Sequence, residues 1–359
     1  MPGTIRRGVW PLVNALAVGM LMLIASARPA GATDAVEDPG SRLMQVENGG
    51  YSVPKLPIWL GGDLTVQGTV PQSGHAKLEL DDINLLVRYE PLPRLSFFSE
   101  TRLENTVTIT DGKGPELDSS DIFIERLYLD WLATPHLTIR LGKFLTPFGV
   151  WNQIRRAPLT WTVERPLVTE NTFPEHTTGI GLIYQATLHG WSIDGTLYGP
   201  AQDALPLRSS TESGVTLVGS RIAAAHQIGD AYLTVGVSGG GAERRQHAGL
   251  QPMAGADINL SWAGNDLLGE FAYARSPEPF VDDDWGLYLQ DSYPLFDSFY
   301  AVARYEHFRG FDTGSVDAGL LGFAWRLDPH FIIKANYQLT TKSSEDLPRG
   351  FLCSFALFF

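Results

Sequence analysis

The nine residues from Phe351 to Phe359 constrain the fold of this chain more than any other stretch. Phe351, Cys353, Phe355, Leu357 and Phe359 form an apolar stripe at period two that runs to the last residue. Soluble domains usually end in a frayed polar tail. A strand with one wholly apolar face needs an apolar solvent on that face. Lipid is the simplest such solvent, and the closing strand of a transmembrane β-barrel is the simplest object that meets it.

The other end of the chain points to a compartment. Arg6 and Arg7 precede an apolar stretch from Val9 to Ala27, and Ala30-Gly31-Ala32 supplies small residues for cleavage. This is the pattern of a secretory signal peptide, expected over residues 1–32. Those residues hold Arg6, Arg7 and Arg28 and no acid, so 24 of the 27 Lys and Arg remain against 40 Asp and Glu, a balance of −16. Such a balance argues against nucleic acid and anionic surfaces as partners. Cys353 is the single cysteine, which excludes an intramolecular disulfide and a Cys-based metal site. After residue 32 no apolar run approaches the roughly 20 residues of a membrane helix, and mean hydropathy is near zero. A membrane protein of this profile is an all-β barrel, in which alternation dilutes the apolar signal.

Residues 33–57 read as an irregular periplasmic or lumenal extension. From Ile58 onward, sixteen strand-like segments are expected near 58–68, 76–90, 94–107, 121–132, 137–146, 177–187, 190–199, 215–228, 230–241, 252–263, 265–276, 285–294, 297–308, 316–327, 330–341 and 350–359. Tight turns such as Thr134-Pro135-His136 and Gly229 follow the even-numbered segments. Longer connections follow the odd-numbered ones, over 69–75, 108–120, 147–176, 200–214, 242–251, 277–284, 309–315 and 342–349. Short turns on one rim and longer loops on the other describe an antiparallel outer-membrane barrel with both ends on the periplasmic side.

The faces agree. Leu127, Leu129 and Trp131 oppose Arg126, Tyr128 and Asp130, and Ile333, Ala335 and Tyr337 oppose Lys334, Asn336 and Gln338. Arg or Lys facing lipid near the midplane costs about 2–4 kcal/mol, so the charged face is assigned to the lumen. That assignment places Arg88, Arg102, Arg126, Arg140, Arg221, Arg304, Arg326 and Lys334 on the inner wall. Asp82, Glu100, Glu104, Asp130, Asp194, Asp257, Glu270 and Glu306 join them there. Aromatics recur beside the short turns, among them Tyr89, Trp131, Trp262 and Phe331, as in a periplasmic girdle. Sixteen strands leave room for an aqueous channel.

The connection 147–176 is about twice as long as any other and carries Trp151, Ile154, Leu159, Trp161, Val163 and Phe173. Loops that long are functional or disordered, and the apolar content favours order. We expect it to fold into the lumen as a constriction, anchored by Trp151 and Trp161, with Arg155, Arg156, Arg165 and Glu164 at the eyelet. Leu141-Gly142-Lys143-Phe144-Leu145-Thr146-Pro147-Phe148-Gly149, a polar and basic segment, and then Thr178-Gly179-Ile180-Gly181 are similar to the strand–loop–strand core of the phosphate-selective porin family of Gram-negative bacteria. The likeness covers about 40 residues. It implies a sixteen-stranded, often trimeric, water-filled porin. Arginines here mix with acids, so mutual neutralisation, weak anion preference and cation preference all stay open.

Other signals carry less. Gly236-Val237-Ser238-Gly239-Gly240 matches the nucleophile pattern of serine hydrolases but lies inside a strand segment rather than at a strand-to-helix elbow. The eight histidines are scattered, with no metal-ligand spacing. No catalytic residue, cofactor or metal is expected. The expected activity is passive diffusion of small hydrophilic solutes or anions across an outer membrane. A structural or binding barrel and an outer-membrane hydrolase are the alternatives. The expected neighbours are outer-membrane lipid and, through Phe355, Leu357 and Phe359, the machinery that assembles barrels.

Overall fold

The computed structural model describes residues 51–116, 122–200, 215–244, 250–276, 282–310, 314–328, 330–344 and 347–359. The signal-peptide reading of 1–32 and the extension before Tyr51 lie outside the described residues. The strands are β1 (Tyr51–Ser52), β2 (Ile58–Pro71), β3 (Lys77–Leu92), β4 (Leu95–Thr110), β5 (Pro115–Glu116), β6 (Ile122–Thr134), β7 (Leu137–Leu145), β8 (His176–Leu188) and β9 (Trp191–Pro200). They continue as β10 (Val215–Ile228), β11 (Ala231–Arg244), β12 (Leu250–Trp262), β13 (Asn265–Ala274), β14 (Asp284–Phe296), β15 (Phe299–Gly310), β16 (Gly314–Asp328), β17 (Phe331–Thr340) and β18 (Gly350–Phe358). β1 and β5 are two-residue pieces, and the other sixteen are staves of one sheet.

Every stave pairs antiparallel with its neighbour in sequence, and β18 pairs antiparallel with β2, which closes the ring and removes both edges. Phe351 aligns with Val70 and Phe358 with Asp63. On β18 the residues of the apolar stripe face outward, while Leu352 and Ala356 between them are fully buried. Exposed large apolar residues on other staves continue that outer surface, among them Ile222, Val237, Leu289 and Leu321.

Connections on the rim that holds Ile58 and Phe359 are two residues long, as at 189–190 and 263–264. His189 and Gly190 both have positive φ (51° and 82°), as the tight hairpin turn that matches strand twist demands. On the opposite rim several staves, among them β2, β4, β11 and β15, run further than expected. Arg309 and Gly310 belong to β15 and Gly314 and Ser315 to β16, where a loop over 309–315 was expected, and Gly310 pairs with Gly314. The stretch 33–57 is not wholly irregular either. β18 ends opposite Asp63, leaving Trp59 and Leu60 without partners on that side, and β1 takes them. Backbone groups at a sheet edge are seldom left unpaired.

Away from the hairpin ends, register shifts break the alternation of faces on β3, β4 and β6. Thr65 opposes Asp82 and Val66 opposes Leu80, so Asp81 is an extra residue on β3 relative to β2. Glu100 opposes Arg126 and Thr101 opposes Ile124, so Glu125 is extra on β6.

Candidate constriction site

The connection from Thr146 to Glu175 does not leave the barrel. It carries two short helices, α1 (Trp151–Ile154) and α2 (Leu167–Asn171), which strand periodicity could not show. Irregular backbone inside a barrel must find partners for its own N–H and C=O groups. The charged inner wall supplies them. Glu270 on β13 accepts from the Trp151 N–H at the start of α1 (2.5 Å), and Glu306 on β15 accepts from the Leu167 N–H at the start of α2 (2.8 Å). Carboxylates at helix starts satisfy orphan donors and meet the positive end of the dipole. Asn336 accepts from the Val163 N–H at 2.9 Å.

The wall cations serve the carbonyls. Arg304 donates to the Glu164 carbonyl (2.8 Å), Lys334 to the Thr162 carbonyl (2.9 Å) and Arg326 to the Pro158 carbonyl (3.0 Å). Arg304, Arg326 and Lys334 face inward as their strand faces indicated. They hold the loop rather than line open water.

Apolar contacts reinforce this path. Phe148 stacks on Phe173 at 4.4 Å and packs over Gly255, where a Cβ would fall 2.5 Å from the Phe148 ring. Trp151, Leu167 and Val168 join a buried cluster with Leu217, Met253, Leu268, Tyr288 and Phe308 from the wall. Trp161 packs against Tyr300 at 4.5 Å, lies under the Arg326 guanidinium and donates from Nε1 to Asp266 at 2.7 Å. The seat requires apolar side chains on the inner face of β15–β18, where Leu320 and Ile332 are buried. Alternation alone would send apolar residues outward, so these positions escape a sequence reading.

The loop arginines divide into two kinds. Arg155 and Arg156 have side chains only 6% and 5% exposed. Arg155 lies 3.1 Å from Glu125 and pairs with Glu175. Arg156 pairs with Asp63 at the seam where the first and last staves meet and lies 3.6 Å from Glu100. Both are buried ties rather than the water-facing eyelet residues expected for them. Arg165 is 27% exposed and lies 2.7 Å from Glu175. On the wall, Arg102 pairs with Glu104 and sits 3.5 Å from Asp82. Arg102, Glu104 and Asp82 all keep some water contact.

The remaining wall residues form local pairs. Arg126 pairs with Glu100 and lies over the Phe98 ring at 4.6 Å. Arg140 makes two 2.8 Å hydrogen bonds to Asp130 and lies 3.8 Å from the Tyr128 ring centre. Arg88 pairs with Glu90. Arg221 reaches Asp257 across β11 at 2.6 Å, through space that Gly236 leaves open. The hydrolase-like motif is thereby accounted for on packing grounds: Gly236 clears this pair, and the Ser238 Oγ accepts from the Gly149 N–H at 3.3 Å.

Glu164 accepts from the Gln67 amide at 2.9 Å. Burial, reinforced by the charge of Glu170, pushes its carboxyl up to about 7, against the pull of Arg304 and Gln67. The docked loop thus holds this proton more tightly than a free loop whose carboxyl titrates near 4.5. The contribution to docking is complete below that lower value and is lost as pH rises through about 7. Loop mobility, read by hydrogen exchange of its backbone amides, is therefore expected to grow between roughly pH 5 and pH 8. Glu164→Gln should flatten that dependence, and an unchanged slope would remove Glu164 from it.

No family model matches the chain. A curated protein of Aquifex aeolicus (strain VF5), described as uncharacterized, is 25% identical over 287 residues. The match spans 73% of this chain and 63% of that protein, so the chain covers less than two thirds of its relative. Solved structures of the same fold include OprB of Pseudomonas putida (TM-score 0.58, 8% identity, 89% of this chain and 96% of that one). The trimer form of Vibrio cholerae OmpT, an outer membrane protein, matches with TM-score 0.53, 12% identity and 84% and 99% coverage. The anion-selective porin of Comamonas acidovorans matches with TM-score 0.53, 12% identity and 84% and 98% coverage. At these identities the likeness is one of fold: a closed, antiparallel, porin-like barrel of sixteen staves.

Proposed function

We propose that this protein is an outer-membrane porin, a passive channel for small hydrophilic solutes and ions that is narrowed by residues 146–175. The observation that carries the reading is the loop held by the inner walls of β13–β17 and β2, with charges of both signs still exposed to water beside it. A closed sheet with an apolar outer face and a charged inner one suits lipid outside and water within. The outer-membrane proteins that share the fold support an outer-membrane location, and the trimer form of Vibrio cholerae OmpT and the anion-selective porin of Comamonas acidovorans support a trimer and anion passage as working expectations. The likeness to phosphate-selective porins adds the same class of solute. The water-facing set is mixed, Arg102 and Arg165 against Asp82, Glu104 and Glu175, which supports weak rather than strict ion selectivity.

Single-channel recording in a planar bilayer under a salt gradient tests this. The purified protein should pass steady ohmic current. A silent, correctly folded protein would instead favour a structural barrel, the reading that the loop's ties to opposite walls also suit. Charge reversal at Arg165 should move the reversal potential toward cation preference. The same change at Arg155 or Arg156 should act first on loop order and channel noise, because those side chains are buried. An equal response at all three positions would contradict this division.

A further inference from the structure

We infer that Glu125 is a specificity-determining residue of the constriction, fixing its charge preference by positioning Arg155 and Arg102. This rests on the porin reading above. Arg126 faces inward to Glu100, so strict alternation along β6 would turn Glu125 out toward lipid. The bulge turns it inward, since both residues of a bulge share one opposing partner and the strand bends. The Glu125 side chain is 6% exposed. Its Oε1 lies 3.0 Å from Arg102 Nε, and its Oε2 lies 3.1 Å from Arg155 Nη2 and 2.6 Å from His176 Nε2. One carboxylate thus ties a wall stave, the loop and the first residue of β8.

The second bulge supports the same arrangement. It adds Asp81 beside Asp82 on β3, the stave on the other side of β4, and Asp82 lies 3.5 Å from Arg102. These two bulges sit on strands flanking β4, the strand that carries Arg102, and β4 has a register shift of its own opposite Asp81. The other carboxylate at the loop base, Glu175, is shared between Arg155 and Arg165 and has little capacity left to replace Glu125. Without Glu125, one negative charge leaves the group formed with Arg102 and Arg155, adding net positive potential where solutes pass.

The test is the reversal potential of the full-length protein in a planar bilayer with a KCl gradient. Glu125→Gln should raise the anion-to-cation permeability ratio by up to about sixfold, because a unit charge roughly 8 Å away in water changes anion and cation occupancy by about 2.4-fold each, in opposite directions. Glu125→Asp, which keeps the charge, should restore the wild-type potential even if channel noise stays high. A purely structural role would raise noise in both variants and leave the potential still. If Glu125→Gln does not insert, Arg102→Gln, at the water-contacting partner of Glu125, should shift the ratio the opposite way, and no shift there refutes the assignment. A wild-type protein without current removes the porin reading itself. A conducting wild type whose potential Glu125→Gln leaves unmoved removes only the role of Glu125.

Discussion

Replacing residues 147–174 with a short glycine–serine bridge is expected to raise single-channel conductance severalfold while the barrel still assembles. The loop is a separate load on the sheet. Its contacts are side chains of the inner wall, whereas the staves are held by their own backbone ladders from β2 round to β18. Excision uncovers Glu270, Glu306, Arg304 and Lys334, which a water-filled lumen can hydrate. It also uncovers the apolar seat of Phe148, Trp151 and Phe173. Each such side chain contributes about 1.5–3 kcal/mol by burial, so the variant should be less stable without losing closure. Conductance equal to that of the intact protein would show that the loop does not limit the path. Loss of the folded barrel from the membrane would show that the loop is part of the scaffold.

Removal of Phe359 is expected to lower the amount of folded barrel in the membrane by on the order of tenfold, with little change in the current of each channel that forms. Phe359 and Gly62 exchange two backbone hydrogen bonds, at 2.8 and 2.9 Å, beyond the last residue of β18. At about 1 kcal/mol each these hold the end of the closing seam. The Phe359 ring lies over Gly62, where an added Cβ would fall 2.5 Å from the ring and 2.3 Å from the Asn84 carbonyl oxygen. Gly62→Val should therefore reproduce much of the truncation defect with Phe359 present. Both variants can be followed by the folded fraction on semi-native gels of outer membranes. Normal levels in both would separate the terminal aromatic from assembly.

The outer face and the strand count were legible from the chain, and so was the side of the sheet that carries Arg304, Arg326 and Lys334, because period-two alternation is a local property. A charge facing lipid is too costly for the sign of each face to be in doubt. The long loop was legible too, since its length and its two tryptophans mark an ordered segment. The bulges on β3 and β6 were not. An extra residue such as Asp81 or Glu125 shows only against the register of a neighbouring strand, and nothing near it in sequence marks the slip. The inner apolar seat at Leu320 and Ile332 was hidden for a related reason: apolar residues on both faces of a strand erase its alternation. The fates of the arginines were hidden as well. Arg155, Arg156 and Arg165 lie within eleven positions of one another, yet the first two are buried in ion pairs with Glu125 and Asp63 while the third meets water. The sequence by itself determined a closed sixteen-stranded barrel with charge inside, because the solvent on each face dictates the residue type. Only the tertiary structure decided which of those charges hold the loop and which face the passage, because that depends on where one irregular segment finds partners for its own backbone.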